Sequence, residues 1–261
     1  MSTAREGAAR KGAARTTDIP ADVLQALSRG EIQSANLAEC LALDQAELVR
    51  TVFPDLCTRA LKEVATACGL GVLKRMARIA AVLLDEMGEA AVEQCQSHGA
   101  DTARGWACFM IGARPGLHLQ ARLAAIRPLA DDAHFGVREW AWLAMRPHLA
   151  QDLETSIALL AQWTTEPSER LRRYASEALR PRGVWCAHIA ALKREPEQAL
   201  PILSPLRADP SIYVQDSVAN WLNDAAKDRP DWVRDLCAQW LRASPAASTH
   251  RISQRAQRNL R

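Results

Sequence analysis

The chain has 261 residues, 48% of them hydrophobic and 24% charged, with a formal net charge of +3. Those are the proportions of a globular protein with a sizeable core, and no run approaches the ~20 apolar residues of a membrane span. A charge this small does not by itself mark a nucleic-acid binder.

The choice of cation is more telling than the total. Arginine supplies 28 of the 33 basic residues. The excess has two readings: planar forks suited to phosphate, or a GC-rich coding sequence, since alanine is abundant too. Seven cysteines (Cys40, Cys57, Cys68, Cys95, Cys108, Cys186 and Cys237) are scattered without a C-x-x-C pair. That pattern argues against a disulfide framework and a zinc site, and fits reduced thiols in a cytoplasmic protein.

In chain order, residues 1–17 ("MSTAREGAARKGAARTT") carry four basic residues and one acid. With no apolar core to the segment, it reads as a disordered basic arm rather than a secretory signal. From residue 18 a single repeat domain is expected to run to 261. "ADVLQALSRG" predicts a helix entered through Asp18 as N-cap and Pro20 at the first position, and closed at Gly30. Apolar residues then recur at helical period over most of the chain, and strand signals are almost absent. Prolines 128, 147, 167, 181, 196, 210, 230 and 245 fall near expected helix boundaries.

Three segments align: "DAHFGVREWAWLAM", "EPSERLRRYASEAL" and "DPSIYVQDSVANWL". Each opens with an acid and repeats an apolar set: Val137, Ala141 and Met145; Leu171, Ala175 and Leu179; Val214, Val218 and Leu222. The anchors lie 34 and 43 residues apart, a spacing suited to paired-helix repeats. Outward, Ala103 and Ile252 extend the register. The expectation is an all-α, HEAT-like helical-repeat solenoid, a right-handed superhelix of antiparallel helix pairs. Trp140, Trp142, Trp221, Trp232 and Trp240 read as core anchors.

"LRRYASEALRPRGVW" followed by "YVQDSVANWLNDAAKDRPDWV" resembles the AlkC branch of the DNA alkylation repair glycosylases, HEAT-like proteins related to AlkD. The family pattern runs from a repeat start with paired arginines through Ala-Ser-acid, Arg-Pro-Arg and Trp. It continues with Ser-Val-Ala-Asn-x-Leu-Asn-Asp and Lys-Asp-x-Pro-Asp, and Leu171 to Asp231 follows nearly all of it. Clear resemblance covers about Ala130 to Trp240.

It implies hydrolysis of the N-glycosidic bond of alkylated bases, notably 3-methyladenine and 3-methylcytosine, without base flipping. Glu177 then falls at a catalytic acidic position, Trp185 at an aromatic facing the deoxyribose, and Arg180 and Arg182 at flanking basic positions. The family's second acid directly precedes Phe-x-Val-Arg, where this sequence has His134 ahead of Phe135 and Arg138. In such a site His134 acts neutral, positioning water. Some members carry a C-terminal immunoglobulin-like domain; none is recognised up to Arg261, which implies weaker DNA wrapping.

The residues allow blander readings beside these. Glu177 has Arg173 at i, i+4, an ordinary helix ion pair. Arg138, Arg172, Arg173, Arg180 and Arg182 are candidates for phosphates around a lesion, as is the stripe of Arg251, Arg255 and Arg258; solvated faces explain them equally well. Asn223 and Asp224 read as structural, and Asn220 as the counterpart of Glu177 in the next repeat. No phosphate loop, Ser/His/Asp set or zinc helix is present, so no cofactor and no metal are expected. The expected partner is double-stranded DNA containing alkylated bases, bound by a monomer in a bacterial-type cytoplasm, associated with the nucleoid through DNA and not with a membrane.

Overall fold

A computed structural model describes residues 10–260, and every regular element among them is a helix. Within the stretch expected as one repeat domain, 18–261, the chain groups into two compact units. One comprises the residues through Arg114 with His134–Val137; the other comprises Pro115–Ala133 and the chain from Arg138 onward.

The first unit holds α1 (Ala21–Ser28), α2 (Leu37–Ala42), α3 (Gln45–Val52), α4 (Thr58–Cys68), α5 (Val72–Met87), α6 (Glu89–Gln96) and α7 (Asp101–Ala113). Helix α1 closes at Gly30, where φ is +73°, as its sequence predicts. Pro20, however, is the N-cap and not the first helical residue, and Asp18 belongs to a preceding 3-10 turn. Of the arm expected at 1–17, residues 1–9 lie outside the described residues. The remainder is docked: Arg10 donates to both carboxylate oxygens of Glu39 at 2.6 Å, and Asn36 Nδ2 donates to the Ala13 carbonyl at 2.8 Å. Glu39 is fully buried, and its bonds to Arg10 hold its carboxyl below the usual range. A buried carboxylate needs such a partner, so this basic residue is fixed by charge pairing.

The second unit takes up α8 (Leu119–Ala130) and most of α9 (Phe135–Gln151). It continues through α10 (Leu153–Gln162), α11 (Glu169–Glu177), α12 (Ala190–Arg194), α13 (Leu200–Leu203), α14 (Ile212–Ala225), α15 (Pro230–Ala243) and α16 (Ala247–Ala256). Helix α11 packs on α14, and α14 on α16. The repeat anchors Ala103, Val137, Leu171, Val214 and Ile252 are all buried, which is the pattern of a helical-repeat fold. Trp140, Trp142, Trp221 and Trp240 are buried too, whereas Trp232 is half-buried against Trp221. Polar bonds tie successive repeats together. Trp221 Nε1 donates to the Leu179 carbonyl at 3.0 Å, and Asn223 Nδ2 donates to the Ala256 carbonyl at 3.0 Å.

The same Arg-Pro step occurs twice in register, at Arg146-Pro147 and Arg180-Pro181, with opposite outcomes. Helix α9 runs on through Pro147 to Gln151, so that proline marks no boundary. Helix α11 stops at Glu177, four residues before Pro181. A proline ring collides with the carbonyl four residues back and pushes its predecessor out of helical geometry. After Pro147 the chain continues with His148, Leu149 and Ala150 and buries Leu149. After Pro181 it meets Gly183, and nothing restores the helix. This break places an acid on the last residue of α11 and starts a loop there. No helix among the described residues is long and apolar enough to cross a membrane.

Candidate active site

Helix α11 is entered through Ser168, whose hydroxyl accepts from the Arg170 amide at 3.2 Å. At its other end Glu177 is only 4% exposed. A carboxylate there is doubly disfavoured, by burial and by the negative end of the helix dipole. Burial is the largest influence on Glu177 and pushes its carboxyl up. The charges of Arg173 and Arg180, with hydrogen bonds from Arg180 and Ser217, outweigh it and hold the carboxyl below the usual range. Glu177 is therefore an ionised carboxylate.

Its partners form an alternating row across three helices. Glu139 of α9 accepts from Arg173 Nη1 at 2.6 Å, and Arg173 Nη2 lies 3.5 Å from Glu177 Oε2. Glu177 Oε1 accepts from Arg180 Nη1 at 2.8 Å, and Arg180 Nη2 reaches Asp224 of α14 at 2.8 Å. Ser217 donates to Glu177 Oε2 at 2.7 Å and is itself bonded to Ser176 at 2.8 Å. The helix pair Glu177–Arg173 exists, but as one link of this row. Asp224, read from sequence as structural, shares Arg180 with Glu177 and so belongs to the site.

Residues 181–189 form a short loop closed by the Ile189 amide on the Pro181 carbonyl at 3.1 Å. At its tip Trp185 is 49% exposed and has φ +63°. For a bulky residue that left-handed conformation costs about 1–2 kcal/mol. A large aromatic is thus displayed to solvent from the loop that leaves the Glu177 end of α11.

The predicted phosphate contacts differ in what already holds them. Arg172 is bidentate to Asp209 (2.7 and 3.1 Å) and donates to the Glu166 and Pro167 carbonyls. Arg173 is buried in the carboxylate row, and both it and Arg138 lie over the Tyr213 ring, at 4.9 and 5.3 Å. Arg138 Nε also donates to the Tyr213 hydroxyl at 3.1 Å. Arg173 and Arg180 hold Glu177, while Arg138 and Arg172 are engaged by Tyr213 and Asp209. Arg182 pairs with Asp228 near the surface, Arg251 and Arg255 share Asp216, and Arg258 bonds Asn220. Arg255 and Arg258 are the most exposed of the set.

His134 has backbone partners on both ring nitrogens. It belongs to the first unit, 8% exposed, with Nδ1 accepting the Gly136 amide at 3.1 Å and Nε2 2.7 Å from the Ser34 carbonyl. The Gly136 bond caps the start of α9, and Nδ1 also lies 3.7 Å from Asp101 Oδ2, so the ring sits in a buried cluster with Ser34 and Asp101. His134→Ala should cost about 1 kcal/mol of stability, the worth of a cap. Urea unfolding reads that cost. Among the described residues no group of three or more His, Cys, Asp or Glu side chains is gathered as metal ligands would be.

Arg146 is the residue that sequence reasoning missed most completely. It is buried in α9 and bonded to the Ala187 carbonyl in the loop that carries Trp185. Its signal was the Arg-Pro step it shares with Arg180 in the repeat register.

Known proteins bear on this geometry. The DNA alkylation repair enzyme family matches residues 122–254. Over 121 residues the chain is 41% identical to the uncharacterized protein YhaZ of Bacillus subtilis (strain 168), an alignment covering 46% of this chain and 33% of that one. The alkylpurine DNA glycosylase AlkC of Pseudomonas fluorescens, solved bound to DNA containing an abasic site analog, superposes with TM-score 0.67. That match has 25% identity over 91% of this chain and 64% of that one. AlkD2 from Streptococcus mutans shares the fold, with TM-score 0.59 and 20% identity over 76% of this chain and 97% of that one. The chain thus spans a third of the curated relative and under two thirds of the AlkC structure.

Proposed function

The chain belongs to the DNA alkylation repair enzyme family, and from that premise we propose that it is a DNA glycosylase. Its reaction is hydrolysis of the N-glycosidic bond of cationic N3-alkylated bases, 3-methyladenine and 3-methylcytosine, without base flipping. The observation that carries this reading is Glu177, buried yet held ionised by Arg173 and Arg180.

A base alkylated at N3 is already a cation and leaves without needing a proton. What its departure needs is stabilisation of the positive charge that develops on the sugar. A preorganised carboxylate in a water-poor site supplies that. Both Glu177 oxygens are engaged and its carboxyl is held low, which suits an electrostatic role better than deprotonation of water. Trp185 offers an aromatic face to the same cation, an attraction of about 0.5–2 kcal/mol. In this reading double-stranded DNA carrying alkylated bases is the partner, the protein acts as a monomer in the cytoplasm, and hydrolysis consumes only water.

Release of 3-methyladenine from methylated duplex DNA tests the proposal. Salt-dependent DNA binding without release would indicate a non-catalytic repeat protein that holds DNA. Absence of both would indicate a protein-interaction solenoid. The exposed arginines of α16 and its C-terminal turn give a further expected result. Arg255→Ala and Arg258→Ala should each reduce the slope of log K against log salt by about 0.9, as loss of one phosphate contact does. Fluorescence anisotropy on labelled duplex over a salt series measures it.

A further inference from the structure

Arg146 is 3% exposed, and burial pushes its guanidinium below the ordinary arginine range. Besides a contact with the Cys186 side chain, it donates to backbone carbonyls. Nη1 donates to Ala178 at 2.9 Å, Nη2 to Arg180 at 2.6 Å and to Ala187 at 3.1 Å, and Nε to Ala187 at 3.2 Å. A buried cation is expensive, and an apolar side chain would fill the same space at less cost. What the cation alone does is hold three carbonyls at once, two before the Trp185 loop and one within it, beyond Trp185.

The loop is fitted to that cation. A Cβ on Gly183 would come within 3.2 Å of Arg146 Cζ and 2.6 Å of Cys186 Sγ, so glycine is what lets the backbone lie against the guanidinium. Trp185 keeps its left-handed backbone, φ +63°. Such a conformation persists only where its surroundings over-determine it. The carbonyl of Arg180 is fixed as well, and the side chain of that residue bridges Glu177 and Asp224. One buried group therefore frames both the aromatic and the ion pair of the acid.

We propose that Arg146 is a positioning residue for the reaction, a cationic clamp that holds the Trp185 loop and the Arg180 backbone in register with Glu177. The proposal rests on the glycosylase reading. Arg146 touches neither base nor sugar; it acts through Trp185 and Arg180.

The test is a double-mutant cycle on single-turnover release of 3-methyladenine, using Arg146→Met and Trp185→Ala, with Arg146→Lys and Gly183→Ala as variants less able to disturb the core. Misplacing a reacting constellation by an ångström costs about 10²-fold, so Arg146→Met should lose about that much in rate with DNA affinity kept within about twofold. In the Trp185→Ala background the same change should cost much less, because the aromatic it positions is gone. Fully multiplicative effects, or a loss that only tracks the unfolded fraction, overturn the proposal.

A second reading needs no activity: acrylamide quenching of Trp185, taken as the difference between each protein and its Trp185→Phe version. Quenching should rise in Arg146→Lys and Gly183→Ala, and unchanged quenching overturns the clamp. If the wild-type protein releases no base but quenching rises, the clamp stands and the glycosylase assignment is what fails.

Discussion

Glu177→Gln should slow release of 3-methyladenine from methylated duplex DNA by at least about 10²-fold while leaving the protein folded and bound to DNA. The magnitude follows from what is removed. A fixed charge aimed at developing charge is worth on the order of 10²–10³ in rate, and glutamine keeps the shape of glutamate but not its charge. The fold should tolerate the change because neither guanidinium is stranded. Arg173 retains Glu139 at 2.6 Å, and Arg180 retains Asp224 at 2.8 Å. The glutamine oxygen still accepts from Ser217 or Arg180. Alanine at 177 would be a poorer probe, since it also opens a cavity between three helices. Single-turnover release, thermal unfolding and anisotropy on the same samples separate the outcomes. A release rate equal to wild type sinks the assignment of Glu177, whatever the other two measurements show.

How far this site was legible beforehand depends on which interaction is asked about. The helical period and the register of Val137, Leu171 and Val214 were plain, because burial of one helix face imposes its own spacing. The Arg-Pro break at Pro181 was visible as a boundary. Its true position at Glu177 follows from the reach of a proline ring to the carbonyl four residues back. Pro147 looked equivalent and was not, since the residues after it, and not the proline itself, decide whether a helix resumes.

The partners of the arginines were the main omission. Glu139–Arg173, Arg172–Asp209, Arg180–Asp224, Arg182–Asp228 and Arg251–Asp216 are separated by 34, 37, 44, 46 and 35 residues. Each gap is about one repeat. Local reading reaches the pairs of Glu177 with Arg173 at i, i+4 and Arg180 at i, i+3, whereas stacking repeats places acids on one helix beside arginines on the next. The surroundings of His134 were hidden for a different reason. Its neighbours Phe135 and Arg138 match a pattern, but a ring nitrogen two residues before a helix amide is also a cap, and Ser34 and Asp101 lie too far along the chain to be foreseen.

Arg180→Met should be the most destabilising single change in the site, and its cost should depend on pH in a direction that identifies Glu177. The substitution strands Glu177 and weakens the setting of Asp224, which keeps Lys227 at 3.7 Å. Removing one member of a buried pair costs about 3–5 kcal/mol. In the wild-type protein Glu177 titrates below its unfolded value, so it contributes stability above that value and loses it as pH falls through the lower folded one.

Without Arg180, burial is opposed by Arg173, across 3.5 Å, and by the Ser217 hydroxyl, and the folded carboxyl moves up from its wild-type position. Because the variant's folded carboxyl titrates higher than that of wild type, its deficit grows as pH rises through the interval between the two, and is larger at pH 7 than at pH 4. Urea unfolding of both proteins at pH 4 and pH 7 reads this directly, and a deficit that is equal or larger at pH 4 would refute the role given to Arg180. Base release should follow the same titration, with the acid limb of the rate profile displaced upward in the variant. A purely structural arginine would lower the rate at every pH without moving that limb. The displacement, more than the loss, is what ties the ionised state of Glu177 to the chemistry.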